Sequence, residues 1–186
     1  MTTLNTDLMD TFVGKSILDI CPLGFGKIGD TEHHCAHFVG HVLKLNSLIV
    51  KGATCARMTW NGSKHPTAGA LIRVDEIYNM CSRLEEPLVS GCLAYYTVKT
   101  NIGKDLRMGS MSKKHVGICL GGFVYHYGNT LDKVAKVNVG DLAAHYGKST
   151  ITRYTHLPPQ YTVLTLSEIQ ALKPTEPRKA MKLAKP

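Results

Sequence analysis

Two adjacent glycines, Gly121-Gly122, separate two runs that are rich in β-branched and aromatic residues. A two-residue glycine loop between such runs is typical of a β-hairpin with a primed turn. So short a loop also fixes the register, and we expect Leu120 to pair with Phe123 and Ile118 with Tyr125. The chain is therefore expected to build antiparallel sheet around this hairpin.

Two histidines lie on the hairpin at positions that this register brings together. Side chains alternate between the two faces of a sheet, so His115, Gly117 and His126 share one face. His126 then lies opposite a glycine and diagonal to His115, within reach of a polar side chain. The pair offers a general base with an orienting group beside it. The alternative is two unrelated histidines on a solvated hairpin face.

A second segment, residues 33–43, has the periodicity of a helix with a cysteine in its opening turns. Its apolar face follows the i, i+3, i+4, i+7 pattern and comprises Cys35, Phe38, Val39, Val42 and Leu43. Its other face is expected to point towards water and carries His33, His37 and His41. A thiol near a helix N-terminus feels the positive end of the helix dipole, which favours the thiolate. The alternative is a small buried residue on an apolar face.

Together these motifs resemble the NlpC-type papain-like cysteine peptidases. Cys35-Ala-His-Phe-Val is followed downstream by His115-Val-Gly-Ile-Cys-Leu-Gly and Val-Tyr-His126. That family places its cysteine at a helix start, its histidine at the start of a strand and a third polar residue on the next strand. The resemblance implies Cys35 as the nucleophile, His115 as the base and His126 as the orienting residue. It also implies an α+β, papain-like fold, in which N-terminal helices pack on an antiparallel sheet.

The sequence departs from that family at several positions. The family's cysteine usually follows Asp and precedes Ser-Gly, whereas here Cys35 lies between His34 and Ala36. The tyrosine commonly found upstream is missing, and Phe25 is the nearest candidate for its place. The separation between cysteine and histidine is also longer than in the compact members.

The implied activity is hydrolysis of an amide bond, with the peptidoglycan stem peptide as the expected substrate. Papain-like deamidases and acyltransferases use the same dyad on other substrates, and a non-catalytic module also remains open. An inhibitor or immunity protein is a candidate partner. The N-terminus lacks the basic and apolar regions of a secretory signal. We therefore expect synthesis in the cytoplasm, with delivery to the cell wall by a phage or a specialised secretion route.

A metal site is the other interpretation of the helical histidines. The spacing of His33, His37 and His41 could chelate a divalent ion, but no carboxylate joins them on that face and Cys35 points away. The six cysteines are widely scattered, without a C-x-x-C pair, at positions 21, 35, 55, 81, 92 and 119. This scatter argues against a structural zinc module and against a disulfide scaffold. We expect neither a metal nor a cofactor.

Length and charge set the remaining expectations. The 186 residues suit one domain over residues 1–172, followed by a basic, disordered tail over 173–186. The net charge of 22 − 14 = +8 suits a polyanion such as an anionic cell wall. The sequence contains no nucleic-acid-binding motif, so a specific nucleic-acid partner is not expected. It also contains no run of 18 apolar residues that could span a membrane.

Local patterns predict the other elements. We expect a helix over 6–20 with an interruption at Gly14, and a strand or a buried connection over 47–58. The further helices are expected over Arg73–Leu84 and Asp141–Tyr146, with Ser167 as the cap of a last short helix. The further strands are expected over Gly91–Val98, Ile151–Leu157 and Tyr161–Leu166.

Overall fold

A computed structural model describes residues 2–25, 34–45, 52–60 and 69–172, without the side chains of residues 59 and 60. The helices are α1 (Thr6–Asp10), α2 (Ile17–Ile20), α3 (Cys35–Val42), α4 (Cys55–Trp60), α5 (Val74–Met80), α6 (Val139–His145) and α7 (Leu166–Ala171). The strands are β1 (Arg83–Leu84), β2 (Cys92–Val98), β3 (Lys114–Leu120), β4 (Phe123–Gly128), β5 (Lys133–Asn138) and β6 (Thr150–Thr155). The tail predicted at 173–186 lies outside the described residues.

The six strands form one antiparallel sheet in the order β1-β6-β2-β3-β4-β5. The hairpin register is confirmed, since Leu120 pairs with Phe123 and Ile118 with Tyr125. Gly121 and Gly122 have φ angles of 59° and 84°, which a primed turn requires and which glycine adopts without steric cost. Helices followed by antiparallel strands make the protein α+β, as predicted.

The N-terminal helices are short because the chain contains its own stop and start signals. Gly14, with φ of 80°, ends the first helical region, as the sequence predicted. Ser16 and Asp19 then form a capping box that starts α2. The backbone N–H of Ile17 donates to the Tyr127 hydroxyl at 3.0 Å, which ties α2 to β4.

Helix α3 is buried on every side, and this overturns one expectation. The side chains of His37 and His41 are 0% and 5% exposed, so the predicted solvent-facing histidine stripe is wrong for both. His33 lies outside the described residues. One side of α3 lies against β3 and β4. On another side, Leu71 approaches Gly40 so closely that a Cβ at Gly40 would collide with the Leu71 carbonyl oxygen. The pattern of polar and apolar residues in α3 does not reveal that a segment about 30 residues further along the chain, around Leu71, will pack over the helix.

Other elements also differ from the predictions, and four differences exceed a shift of one or two residues at an end or change what the residues form. The helix expected over Arg73–Leu84 ends at Met80, and its last two residues form β1 instead. Residues 161–165 do not form a strand; their backbone donates to the end of α3, with Leu164 N–H bonded to the Val42 carbonyl at 2.9 Å. Thr165, rather than Ser167, caps α7. The described part of 47–58 includes the start of α4 and no named strand.

The sheet is buried on both faces. A large apolar cluster fills the space between the N-terminal helices and one face, which includes Val116 and Ile118. A smaller cluster, which includes Cys119 and Leu142, lies between the other face and α6. Within the residues that the structure describes, none of the helices combines the length and the apolar character needed to cross a membrane.

Candidate functional site: two buried cysteine–histidine clusters

Cys35 is the first residue of α3, as the sequence predicted. Its side chain is 1% exposed, in the layer between the helices and the sheet. Burial raises the pKa of the thiol, and the backbone N–H groups of Val116, Ala36 and Cys35 itself offset this only in part. The helix start was expected to favour the thiolate, but the pKa of this thiol is raised because desolvation outweighs the helix dipole.

The two hairpin histidines contact each other directly. His115 Nε2 lies 2.9 Å from His126 Nδ1, and the ring centroids are 4.8 Å apart in an edge-to-face arrangement. The side chains are 3% and 6% exposed, which excludes the alternative of a solvated hairpin face. Burial lowers the pKa of His126 to about 4, against a smaller opposing effect of the Tyr127 backbone, so this ring is neutral at pH 7.

A glycine makes room for that histidine pair. A Cβ at Gly117 would lie 3.0 Å from the His126 Cβ and 2.9 Å from the Tyr125 carbonyl oxygen, and it would also collide with Val124. Any larger residue at this position would displace β4 and the His126 ring with it. The absence of a side chain opposite His126 is thus a condition for the contact.

The backbone of β3 connects the cysteine to the histidines. The amide of Val116, the residue that follows His115, directs its N–H towards the Cys35 sulfur. We call Cys35, His115 and His126 the hairpin site. The sequence predicted all three as site residues, and the structure brings the two histidines into contact and sets Cys35 beside the adjoining backbone.

Tyr146 is a neighbour of this site that sequence reasoning missed. Its ring centroid lies 5.2 Å from that of His115, and it stacks on Tyr96 at 5.8 Å. The pKa of its hydroxyl is raised, first by burial and then by the Cys35 charge. Its side chain is 39% exposed, so it lies between the hairpin site and solvent. A single tyrosine at the end of a short helix gives no signal in the sequence.

A second group of cysteines and histidines converges elsewhere in the helical layer. Each residue contributes one ligand atom, and all four atoms lie within 4.8 Å of one another. We call this group the Cys2His2 cluster, and its members are Cys21, His37, His41 and Cys55. His37 Nε2 lies 3.1 Å from His41 Nε2, and the Cys55 sulfur lies 3.9 Å from His41 Nε2. All four side chains are buried.

Three parts of the chain build the Cys2His2 cluster. Cys21 follows α2, the histidines occupy i and i+4 of α3, and Cys55 opens α4. Cys55 donates its N–H to the Ala70 carbonyl at 2.9 Å, and the Ala70 N–H donates to the Cys55 sulfur at 3.1 Å. This exchange fixes the thiol towards α3, where Gly40 allows the same segment to approach the helix.

The histidines of the cluster are held from outside it as well. His37 Nδ1 lies 3.1 Å from His34 Nδ1, while its Nε2 faces the cluster. The Phe25 ring packs edge-on against His37 at 5.3 Å and against His34 at 5.9 Å. Phe25 therefore packs against both His37 of α3 and His34, the residue that precedes the helix.

Electrostatics make the cluster favour at least one thiolate. The pKa of Cys21 is lowered, chiefly by a hydrogen bond from the Cys55 thiol and further by His37 and His41. The same contact with Cys21, together with burial, raises the pKa of Cys55. Burial lowers the pKa of His37 to about 4, so its imidazole is neutral at pH 7.

The sequence contained a weak signal for this cluster. His37 and His41 form an i, i+4 pair, and one cysteine lies within a short distance on each side along the chain. Two features argued against a metal site in the sequence. The chain has no C-x-x-C pair, and Cys35, the cysteine nearest to the histidines along the chain, lies on the other face of the helix.

Comparisons with known proteins leave the motif resemblance without independent support. A scan against protein-family models, a search of curated proteins and a search of solved structures each found no match. The fold and the sites define the described part of the chain as an α+β protein with a buried histidine pair on its hairpin and a buried Cys2His2 cluster. The likeness to NlpC-type peptidases remains a hypothesis based on short motifs.

Proposed function

We propose that the protein is a papain-like cysteine hydrolase that cleaves an amide bond at the hairpin site. The observation that carries the proposal is the 2.9 Å contact between His115 Nε2 and His126 Nδ1, together with a helix-initial cysteine whose sulfur faces the backbone N–H of Val116, the residue after His115. A nucleophile, a base and a group that orients the base form the arrangement that covalent acyl transfer needs. The motif resemblance supports the same assignment of roles.

The contact with His126 supports a separate role for each nitrogen of His115. Its Nε2 is directed at His126, so Nδ1 is the nitrogen that would exchange a proton with Cys35. Because His126 is neutral at pH 7, its Nδ1 can accept a hydrogen bond from a protonated His115. His126 would thus hold the imidazole in place and stabilise the imidazolium that forms during the reaction.

The reaction would proceed in two stages. Cys35 transfers its proton to His115 as its sulfur bonds to the amide carbon, and the imidazolium then protonates the departing amine as the C–N bond breaks. Water next attacks the thioester, His115 removes a proton from that water, and the thiol is released with the carboxylic acid. The raised pKa of the buried thiol makes His115 a general base for a neutral thiol.

The backbone at the start of α3 would stabilise the oxyanion. The first N–H groups of a helix have no partner within it, and that of Cys35 would be one donor to the tetrahedral intermediate. The hairpin site is closed towards solvent, with Tyr146 on its outer side. Rotation of the partly exposed Tyr146 ring away from His115 would open a path for the substrate.

The proposed substrate is the stem peptide of peptidoglycan. Besides the resemblance, the net charge of +8 would attract the chain to an anionic cell wall. Such a substrate requires delivery to the wall, for which we propose a phage or a specialised secretion route. Deamidation or acyl transfer by the same three residues would differ only in the substrate amide or in the acceptor of the thioester.

Digestion of purified peptidoglycan tests this proposal. Soluble fragments from the wild-type chain and from Cys35→Ala are compared by liquid chromatography and mass spectrometry. We expect the wild type alone to release fragments that carry one new amine and one new carboxyl group. Cys81→Ala is the matched control, because it removes another buried free thiol that lies outside both clusters. Identical fragments from the wild type and Cys35→Ala would refute the proposal.

A second incubation separates the alternative activities of the hairpin site. Glutamine-containing proteins incubated with the wild-type chain gain about 1 Da per site if they are deamidated, since NH₂ is replaced by OH. Cross-linked or amine-modified products would indicate acyl transfer instead. Either product, if lost in Cys35→Ala, would retain the nucleophile but replace the proposed peptidoglycan substrate.

A further inference from the structure

We propose that the Cys2His2 cluster binds one zinc ion, and that this zinc is structural. It would tie the loop after α2 and the start of α4 to α3, the helix that carries Cys35. This inference goes beyond the proposed hydrolase activity and does not depend on it.

The spacing of the ligand atoms suits a tetrahedral ion. Zinc bonds of about 2.0 Å to nitrogen and 2.3 Å to sulfur imply edges of roughly 3.3 Å between nitrogens and roughly 3.5 Å between nitrogen and sulfur. The two Nε2 atoms are 3.1 Å apart, and the Cys55 sulfur is 3.9 Å from the nearer one. All four atoms are within 4.8 Å of one another, so small side-chain adjustments complete the geometry.

The donor set also selects the metal. Two thiolates and two imidazoles form the Cys2His2 combination of structural zinc sites, whereas calcium and magnesium prefer oxygen ligands. Zinc with two thiolates is electrically neutral, so the ion would add no net charge to a fully buried site. Four protein ligands leave no position for water or substrate, which is the property of structural rather than catalytic zinc.

The residues around the cluster hydrogen-bond to its histidine and cysteine ligands, as outer residues do in metal sites. His37 presents Nε2 to the cluster while its Nδ1 contacts His34 Nδ1, and a partner on the second nitrogen fixes the orientation of a ligating imidazole. The Ala70 N–H donates to the Cys55 sulfur, and a thiolate sulfur can accept such a hydrogen bond while it binds a metal. These contacts hold the ligands before any ion is bound.

The local backbone is shaped to bring the ligands together. A Cβ at Gly69 would lie 2.5 Å from both the Cβ and the backbone nitrogen of Ala56, so only glycine allows the chain to pass beside the start of α4. Gly40, between the two ligating histidines, accepts the Leu71 backbone in the same way. The close backbone contacts at Gly69 and Gly40 therefore both help to bring the four polar side chains together inside an otherwise apolar layer.

Elemental analysis of the untagged full chain tests the proposal. The chain is purified without chelators, and its metals are measured by inductively coupled plasma mass spectrometry. We expect about one zinc per chain in the wild type, about one in the control Cys81→Ser, and a large loss in Cys55→Ser and His41→Gln. We also expect the melting temperature of these two variants to fall by more than about 10 °C.

A second measurement covers the case in which those variants fail to fold. The wild-type chain is produced in cobalt-supplemented medium and its visible spectrum is recorded. The intense d–d bands and thiolate-to-cobalt bands of a tetrahedral site with two sulfurs support the proposal. A wild-type chain that contains no metal, a disulfide between Cys21 and Cys55, or zinc retained in both ligand variants would each overturn it. None of these readouts depends on hydrolase activity.

Discussion

The hairpin site and the Cys2His2 cluster contain the same two kinds of side chain in opposite arrangements. In the hairpin site one thiol lies at the start of α3, against the β3 backbone, and two buried histidines contact each other behind the partly exposed Tyr146 ring. In the cluster two thiols and two imidazoles point at a common centre, enclosed by protein. A nucleophile needs a base and a path for its substrate, whereas a metal needs convergent ligands. The same residue types therefore support different functions according to what they face.

The largest effect that we expect to be confined to one region is the loss of turnover at the hairpin site in Cys35→Ala. We expect turnover to fall by at least about 10³-fold, because no nucleophile remains, with the melting temperature and the zinc content unchanged. Cys55→Ser should show the opposite pattern, because its main effects should be the loss of zinc and a lower melting temperature. Turnover, metal content and melting temperature measured on both variants test this contrast. Equal loss of zinc in Cys35→Ala would mean that the two regions are not separate.

Chelation should distinguish the regions in the wild-type chain. Removal of zinc with a strong chelator is expected to lower the melting temperature by more than about 10 °C. Because the ion is not placed at the hairpin site, turnover per folded chain should stay the same. Circular dichroism and activity recorded on the same samples provide both values. A loss of turnover without any loss of folded chain would instead assign the metal to catalysis.

The two hairpin histidines should differ in their effects. His115→Ala removes the acid and base, and we expect a loss of at least about 10³-fold in kcat. His126→Ala removes only orientation and charge support, so we expect a loss of about 10–100-fold. His126→Gln and His126→Asn restore an acceptor and should recover part of that loss, which a purely structural role would not explain. His156→Ala, an exposed histidine, is the control.

Acid should destabilise the fold through His126. Its pKa is about 4 in the folded chain, chiefly because of burial, and about 6.5 when unfolded. The unfolded chain therefore binds the proton first as the pH falls, so this stabilising contribution is full above pH 6.5 and is lost towards pH 4. The groups that face the ring are His115, His145 and the Tyr127 backbone.

The expected size is about 2 kcal/mol of unfolding free energy lost between pH 7 and pH 5. Urea unfolding of the wild type and of His126→Gln at both pH values isolates this contribution, since the other groups are common to both chains. An equal dependence on pH in the two chains would contradict the assignment.

Two glycines allow a comparison at the level of the backbone. Gly40→Ala should cost about 1–3 kcal/mol, because its Cβ would displace the Leu71 backbone, and it should also weaken zinc retention. Gly140→Ala is the matched control, because a Cβ there meets nothing within 4 Å and alanine favours the helix. A Gly40→Ala chain as stable as Gly140→Ala would show that Leu71 yields without cost.

The hairpin was predictable because its information is local. Gly121-Gly122 fixes the turn, the turn fixes the register, and the register predicted the neighbourhood of His115 and His126 without any long-range contact. Gly117, opposite His126, could be identified from the same register. This is why both the central part of the sheet and the histidine pair of the candidate site followed from the sequence.

The Cys2His2 cluster was not predictable in that way. It depends on a segment around Leu71 folding over α3, and the sequence pattern of a helix does not show what will cover its polar face. Histidines at 37 and 41 were therefore expected in water, although burial beside two thiols is what gives them a ligand geometry. The apolar face of the helix indicated that Cys35 could be buried, but it did not show that desolvation would outweigh the helix dipole, because desolvation depends on packing from all sides.

Peptide-resolved alkylation of the native chain tests the division between the two regions most directly. Native protein is treated with iodoacetamide for increasing times, with and without a chelator, and each cysteine is quantified by mass spectrometry. The account predicts that Cys35 reacts fastest despite its raised pKa, because His115 accepts its proton, that His115→Ala slows it, and that Cys21 and Cys55 react only after chelation. Cys35 reacting no faster than Cys92, or Cys21 and Cys55 reacting at equal rates with and without chelator, would contradict it.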